Sequence, residues 1–568
     1  MKTALRIQVI SVTALLGFLS NGKLATAQSD PNQIGQWGSV LNWPLEAIHS
    51  IMLPTGKVMV WQSWQTSVAL WDPVTGAFED ANFPSVNAFC SAHTWLPDGR
   101  LFVVGGQKPD GSLWGEPTAD IYDPWTNTWA SQDPNVPDVP DMNLGRWYPS
   151  ATTLGNGDIL VTSGYYSPNP PFPTRLNPLP QVYEHETNTW RDLTDATQHT
   201  PEYPRMMLAP DGRAVMLADF ASDSQWLDVN GTGQWSFLDD NLDGGLRDYG
   251  PAVMYDAGKV AYLGGGGNPT KNINLIDLND ANPQWRYGTD DMAQARRQNN
   301  ATILADGTVL ITGGTSGSNN DPDFSVTTAE IWDPVTEQVS QVAEASNIYR
   351  GYHSTAILLP DGSVLVAGGE HDHNNEGPFV QNYDAEIYEP AYMHNGTRPT
   401  ITDVPDAVIY GETFLVETPD AANIARALMV VPGAATHSQN WSQRANRLDV
   451  TQAAGGVEIT LTSNSNEAPP GDYMLFLIDD NGIPSVAEFF RAEFGQPGDF
   501  DFNGTVDGLD FLALQLDPSL GALSDWEANY GDGTPLSASS SAVPEPSTVV
   551  MMLSAFYALG IFPARCRR

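Results

Sequence analysis

Between Arg350 and Gly369 the chain reads as an alternating apolar run, a Pro360-Asp361-Gly362 turn, a second apolar run and a Gly368-Gly369 doublet. A half-buried strand alternates in this way, and two of them around a short glycine-bearing turn predict a β-hairpin. The pattern recurs along the chain with turn glycines at Gly56, Gly99, Gly157, Gly212, Gly258, Gly307 and Gly362. Their spacing of 43 to 58 residues lies near the roughly 50 of a kelch-type propeller blade. Doublets at Gly105-Gly106 and Gly313-Gly314, and the segments Ile121–Pro124, Ile331–Pro334 and Ile387–Pro390, supply the companion strands. The copies near Gly164 and Leu217 lack the doublet.

The expected fold is therefore all-β: a seven-bladed kelch-type β-propeller over 28–396. After Pro399 the runs Phe414–Glu417, Ala427–Val431, Val457–Thr462, Tyr473–Ile478 and Ala487–Arg491 alternate with short turns. They predict an immunoglobulin-like β-sandwich over 397–494. Its loop Pro432–Asn446 carries His437 on two arms long enough to reach away from the sandwich.

Composition narrows the function. A formal charge of −42, from 26 basic and 68 acidic residues, disfavours nucleic acid and anionic membranes. Lys2 and Arg6 ahead of an apolar segment, with Ala25-Thr26-Ala27 after it, predict a signal peptide over 1–27. At the other end, a linker at 535–543 leads to Pro544-Glu545-Pro546, an apolar run to Phe562 and Arg565-Cys566-Arg567-Arg568. That run is shorter than the roughly 20 residues of a spanning helix. The 544–568 pattern resembles PEP-CTERM sorting tails, which implies export to the envelope or surface of a Gram-negative bacterium and processing by a sorting enzyme at the membrane. Between lies GDFDFNGTVDGLD, with Asp499, Asp501, Asn503, Asp507 and Asp510 at calcium-loop spacing. The module at 498–534 resembles a dockerin repeat, and calcium is its expected ion.

The hairpin register brings the chemistry forward. First strands of propeller blades line the central channel, so the residues nine before each turn glycine share one level: Ala47, Cys90, Tyr148, Tyr203, Tyr249, Gln298 and His353. Tyr352 precedes His353, and His437 stands on the long loop. Two imidazoles and two phenol oxygens form a donor set suited to Cu(II), whereas zinc prefers carboxylate or several cysteines. Cys90 beside Tyr148 allows a thioether that would ease one-electron oxidation of the phenol. Copper and an organic radical together hold the two oxidising equivalents needed to oxidise an alcohol or aldehyde.

Over about residues 40–494 the sequence resembles the copper-radical oxidases, galactose oxidase and, more closely, glyoxal oxidase. The likeness rests on Phe89-Cys90-Ser91, Arg146-Trp147-Tyr148-Pro149, Tyr203-Pro204-Arg205, Tyr352-His353-Ser354, Thr436-His437 with Gln443, and Pro470–Phe476. It implies one copper ion with Tyr148, His353 and His437 as equatorial ligands and Tyr352 as axial ligand and base. It also implies a Cys90–Tyr148 thioether radical cofactor and dioxygen reduced to hydrogen peroxide. The tryptophan that stacks on the thioether in galactose oxidase corresponds to Tyr166 here. Trp147, Tyr203 and Tyr249 are expected around a small alcohol, aldehyde or sugar substrate. The rival expectation is a non-catalytic propeller that binds carbohydrate or serves as a structural envelope protein.

Overall fold

The computed structural model describes residues 30–531 apart from 63–67, 82–86, 109–113, 168–174, 218–222, 244–246, 319, 373–378, 497–498, 500–505 and 517–522. The signal and sorting segments fall outside the described residues. Among those described, no helix is long and apolar enough to cross a membrane. The chain is all-β, with 42% strand and 8% helix.

Seven successive sheets among the described residues start from the hairpins expected above. Their opening pairs are His49–Met52 with Val58–Trp61, Ala92–Trp95 with Leu101–Val104, and Trp147–Thr153 with Ile159–Tyr165. Then come Met206–Leu208 with Ala214–Met216, Ala252–Asp256 with Lys259–Leu263, Arg297–Ile303 with Val309–Thr315, and Ser354–Leu358 with Val364–Gly368. The turn glycines hold φ between 70° and 88°, a left-handed conformation that glycine adopts without a Cβ clash. Each hairpin continues outward to a third strand, and strand exposure rises along the way. His49–Met52 and Val58–Trp61 are wholly buried, while Phe78–Asp80 at the outer edge is largely open.

Hydroxyl groups stitch the first strands to one another. Thr94 meets Thr153 at 2.8 Å, Asn300 donates to Ser354 at 2.9 Å, and Ser50 meets Thr355 at 2.7 Å. The last of these joins the seventh sheet to the first. The N-terminal strands Gln36–Trp37 and Leu41–Asn42 pair with Asp384–Glu389, so both ends of this region share the seventh sheet.

A five-stranded and a three-stranded sheet follow, built from Ala407–Ile409 to Glu488–Glu493. The strands centre where the alternation predicts them, and Gly471–Asp479 pairs on both sides. One feature crosses between the two regions. Ala434–Thr436 pairs antiparallel with His49–Met52, and Gln439–Asn440 pairs with Ala434–Thr436. The Pro432–Asn446 loop is thus a β-ribbon added to the inner edge of the first sheet. Gln443 fixes its far arm: it accepts from Ile303 N–H at 2.9 Å and donates to the Ala301 carbonyl at 3.0 Å.

Candidate metal and radical site

Six of the seven residues that stand nine before the turn glycines share one backbone conformation. Cys90, Tyr148, Tyr203, Tyr249, Gln298 and His353 have φ between 45° and 65°. Non-glycine residues in this region are strained and tend to gather at functional sites. Each of the six lies within three residues of the start of the first strand of its sheet. Ala47 lacks the left-handed φ.

The side chains expected to act together do meet. The Tyr148 and Tyr352 hydroxyls lie 3.1 Å apart, and Cys90 Sγ is 3.5 Å from His437 Nε2. Ligand atoms of Cys90, His353 and His437 all fall within 4.8 Å of one another. Tyr352 stacks on His353 at 3.8 Å between ring centroids, and His437 stands edge-on to Tyr148, Tyr352 and His353. Cys90, Tyr148, His353 and His437 are buried, whereas Tyr352 keeps partial exposure.

Hydrogen bonds decide which nitrogen each imidazole presents. Thr436 Oγ1 donates to the Ile48 carbonyl at 2.8 Å and therefore accepts from His437 Nδ1 at 2.6 Å. Glu370 accepts from His353 Nδ1 at 2.7 Å. Both rings are left with Nε2 as a lone-pair donor. His353 Nε2 is buried without a hydrogen-bond partner in the protein, and such an orphan atom fits a metal ligand. Burial pushes His437 well below its ordinary value, so it is neutral and able to coordinate. Burial likewise pushes the phenols of Tyr148 and Tyr352 well up, aided by the neighbouring Cys90 thiol and Tyr249 phenol. A divalent cation among these oxygens would reverse that shift. The nitrogen and oxygen donors present fit copper.

The remaining expected residues surround this cluster. Tyr203 packs edge-on to Tyr148 at 4.9 Å and donates to the Ser91 carbonyl at 3.0 Å. Tyr249 lies 5.9 Å from Tyr352 beneath the Arg297 guanidinium. Trp147 lies 4.6 Å from the Tyr148 ring and Tyr165 lies 6.3 Å from it. Tyr166 stands just past the strand end, its N–H on the Arg175 carbonyl at 3.0 Å. A tryptophan therefore adjoins the Tyr148 ring from the preceding position, because Trp147 pairs with Tyr165 across the hairpin. In the expected calcium loop, Asp501 and Asn503 lie outside the described residues. Asp499 and Asp510 are buried, and Asp510 accepts from Asp507 N–H at 2.7 Å.

Several residues of the site escaped the sequence reading. Glu370 directly follows the Gly368-Gly369 doublet, a position at the strand end that an acidic residue after the doublet could have signalled. Glu46 is fully buried near Glu370, and burial raises its carboxyl to about 9. Behind Cys90 stand His49 and His93, in nitrogen contact at 3.0 Å. His49 lies two residues beyond Ala47 and His93 three beyond Cys90, where counting nine back from each turn glycine does not find them.

Comparisons with known proteins agree with this chemistry. Residues 398–492 match the model of the galactose oxidase-like early set domain, and residues 264–392 match that of the glyoxal oxidase N-terminus. Galactose oxidase of Gibberella zeae is 27% identical over 518 residues, spanning 81% of this chain and 71% of that protein. Aldehyde oxidase GLOX of Vitis pseudoreticulata is 26% identical, spanning 71% of this chain and 82% of that protein. A solved fungal alcohol oxidase in complex with copper superposes with a TM-score of 0.70 at 24% identity, covering 81% of this chain and all of that one. That likeness carries the fold. The domain matches and the oxidase relatives support the copper-radical oxidase family.

Proposed function

We propose that the protein is a copper-radical oxidase that converts a primary alcohol to an aldehyde, or a hydrated aldehyde to an acid, while dioxygen becomes hydrogen peroxide. The observation that carries this reading is the meeting of Tyr148, Tyr352, His353, His437 and Cys90 from four separate parts of the chain.

Tyr148, Tyr352, His353 and His437 are the residues that would hold copper. When bound, the metal supplies a Lewis acid and a one-electron acceptor. The chain supplies the rest. Glu370 and Thr436 fix both imidazole tautomers. Tyr352, the partly exposed member of the set, accepts the substrate hydroxyl proton. Tyr148, cross-linked to Cys90 and oxidised by one electron, takes a hydrogen atom from the adjacent carbon. The ring walls of Trp147, Tyr203 and His437 keep water from that radical.

The seven successive sheets support a seven-bladed kelch-type propeller, and the two C-terminal sheets support an immunoglobulin-like sandwich that delivers His437. The 498–534 module is read as a calcium site, and the protein as exported with its tail processed by a sorting enzyme. A peroxide-release screen of copper-loaded protein over alcohols, aldehydes and sugars tests the activity. Turnover that needs copper is expected; none on any of these substrates would reject the oxidase.

A further inference from the structure

Backbone hydrogen bonds join three pairs of these left-handed residues. Tyr148 N–H donates to the Cys90 carbonyl at 3.0 Å, Tyr203 N–H to Tyr148 at 2.9 Å, and Gln298 N–H to Tyr249 at 2.7 Å. Continued backwards, the series would set Cys90 N–H on the Ala47 carbonyl. Ala47 lacks the left-handed turn, and its carbonyl accepts instead from Thr355 Oγ1 at 3.2 Å. Cys90 N–H donates to His49 Nε2 at 3.2 Å. An imidazole thus takes the place of the missing carbonyl.

This bond sets a chain of tautomers. A backbone N–H only donates, so His49 Nε2 is unprotonated and Nδ1 carries the hydrogen. Nδ1 then donates to His93 Nε2 at 3.0 Å. The His49 ring is held in place by stacking on Trp61 at 4.6 Å and 16°, and it is fully buried. Its strand pairs with Thr436, the residue that orients His437. The same strand therefore supports both the sulfur and one imidazole of the site.

We infer that His49 is a positioning residue for the Cys90–Tyr148 cross-link, holding Cys90 at φ 57° with its thiol toward His437, whose ring stands edge-on to Tyr148 at 5.4 Å. The inference rests on the copper-radical reading. In the step it serves, the Cys90 S–H and one Tyr148 ring C–H bond break and a C–S bond forms. The two electrons and two protons pass to dioxygen, giving hydrogen peroxide. Without an acceptor at His49, the Cys90 backbone loses the partner that holds its turn, and the sulfur moves off the ring. Misplacing reacting atoms by about 1 Å costs on the order of 10²-fold in rate.

The test starts from copper-free, anaerobically prepared full-length protein, to which copper and oxygen are added together. Cross-linking is followed as the loss of two hydrogens from the intact mass and as the loss of alkylatable Cys90 after unfolding. His49→Phe keeps the stack on Trp61 but has no acceptor; His49→Gln restores one. The parent should cross-link and His49→Phe should slow by on the order of 10- to 100-fold. His49→Gln should recover much of the rate, and copper affinity should hold throughout. A cross-linking parent with His49→Phe at the same rate overturns the inference alone. A parent that never cross-links overturns the oxidase reading and this inference with it. If His49→Phe does not fold, His93→Phe removes the acceptor of His49 Nδ1; slowed cross-linking supports the role and the parent rate rejects it.

Discussion

The Tyr352 and His437 rings meet edge-on at 5.5 Å, one just before a first strand and the other at the tip of an added ribbon. Their removal should separate binding from chemistry. On the proposed ligand set, Tyr352→Phe keeps three of four ligands and loses the proposed proton acceptor, so copper should stay bound while kcat falls by on the order of 10²- to 10⁴-fold. His437→Ala removes one of two imidazoles, so copper affinity and peroxide yield fall together; unchanged copper titration in this variant would take His437 out of the site. The histidines behind Cys90 make a pH prediction. Burial pushes His93 down to about 3. A depressed folded value means that the stability it contributes is present above its ordinary 6.5 and is lost as pH falls toward 3. Denaturant melts of the copper-free protein should weaken across that window, and His93→Gln should flatten the trend. These residues also mark where sequence reading stops. Cys90, Tyr148 and His353 stand at one level of a repeated hairpin and can be counted. His49 and Glu370 act through directions that only the folded backbone assigns.

A second device recurs at the level of the hairpin. Arg146, Arg247, Arg296 and Arg350 each enter just before an inner strand and donate to a carbonyl at the end of the second strand, of Ser163, Gly264, Gly313 and Gly368 respectively. The guanidinium satisfies carbonyls that glycine doublets and the left-handed turns leave unpaired inside the sheet stack. In two sheets a carboxylate of the third strand completes the unit. Arg296 pairs with Glu330, both side chains fully buried, and Arg350 pairs with Glu386. Arg296→Met strands a buried Glu330 and should cost about 3–5 kcal/mol, read as a lower denaturation midpoint. Arg286 pairs with Glu337 at 2.5 Å but is 56% exposed, and Arg286→Met should cost at most about 1 kcal/mol. Equal losses in the two variants would mean that burial does not set the difference. The hairpins themselves were legible because their alternation and turn glycines are local. The arginine unit was not, since its partner carbonyls lie 17 or 18 residues away.

The whole molecule depends on the ribbon that crosses from the C-terminal sheets to the first inner strand. Its length was visible in the sequence, and its reach toward the channel was expected. Its pairing with His49–Met52 was not, because strand addition between distant segments leaves no local pattern. The same limit applies at the far end of the chain, where the aspartate spacing is readable and its ion is not. Calorimetry of the full-length protein should record calcium binding that Asp510→Ala abolishes, with peroxide yield unchanged; no heat in the parent would remove the calcium site. The central claim is that this architecture builds a radical cofactor from Cys90 and Tyr148, and the most direct measurement needs no substrate. Intact mass and thiol alkylation are compared between copper-loaded, air-exposed protein and copper-free, anaerobic protein. The account predicts that the first is lighter by two hydrogens and has no alkylatable Cys90 even when unfolded, while the second has its full mass and a reactive thiol. Full mass with a fully alkylatable Cys90 in the copper-loaded protein would contradict it.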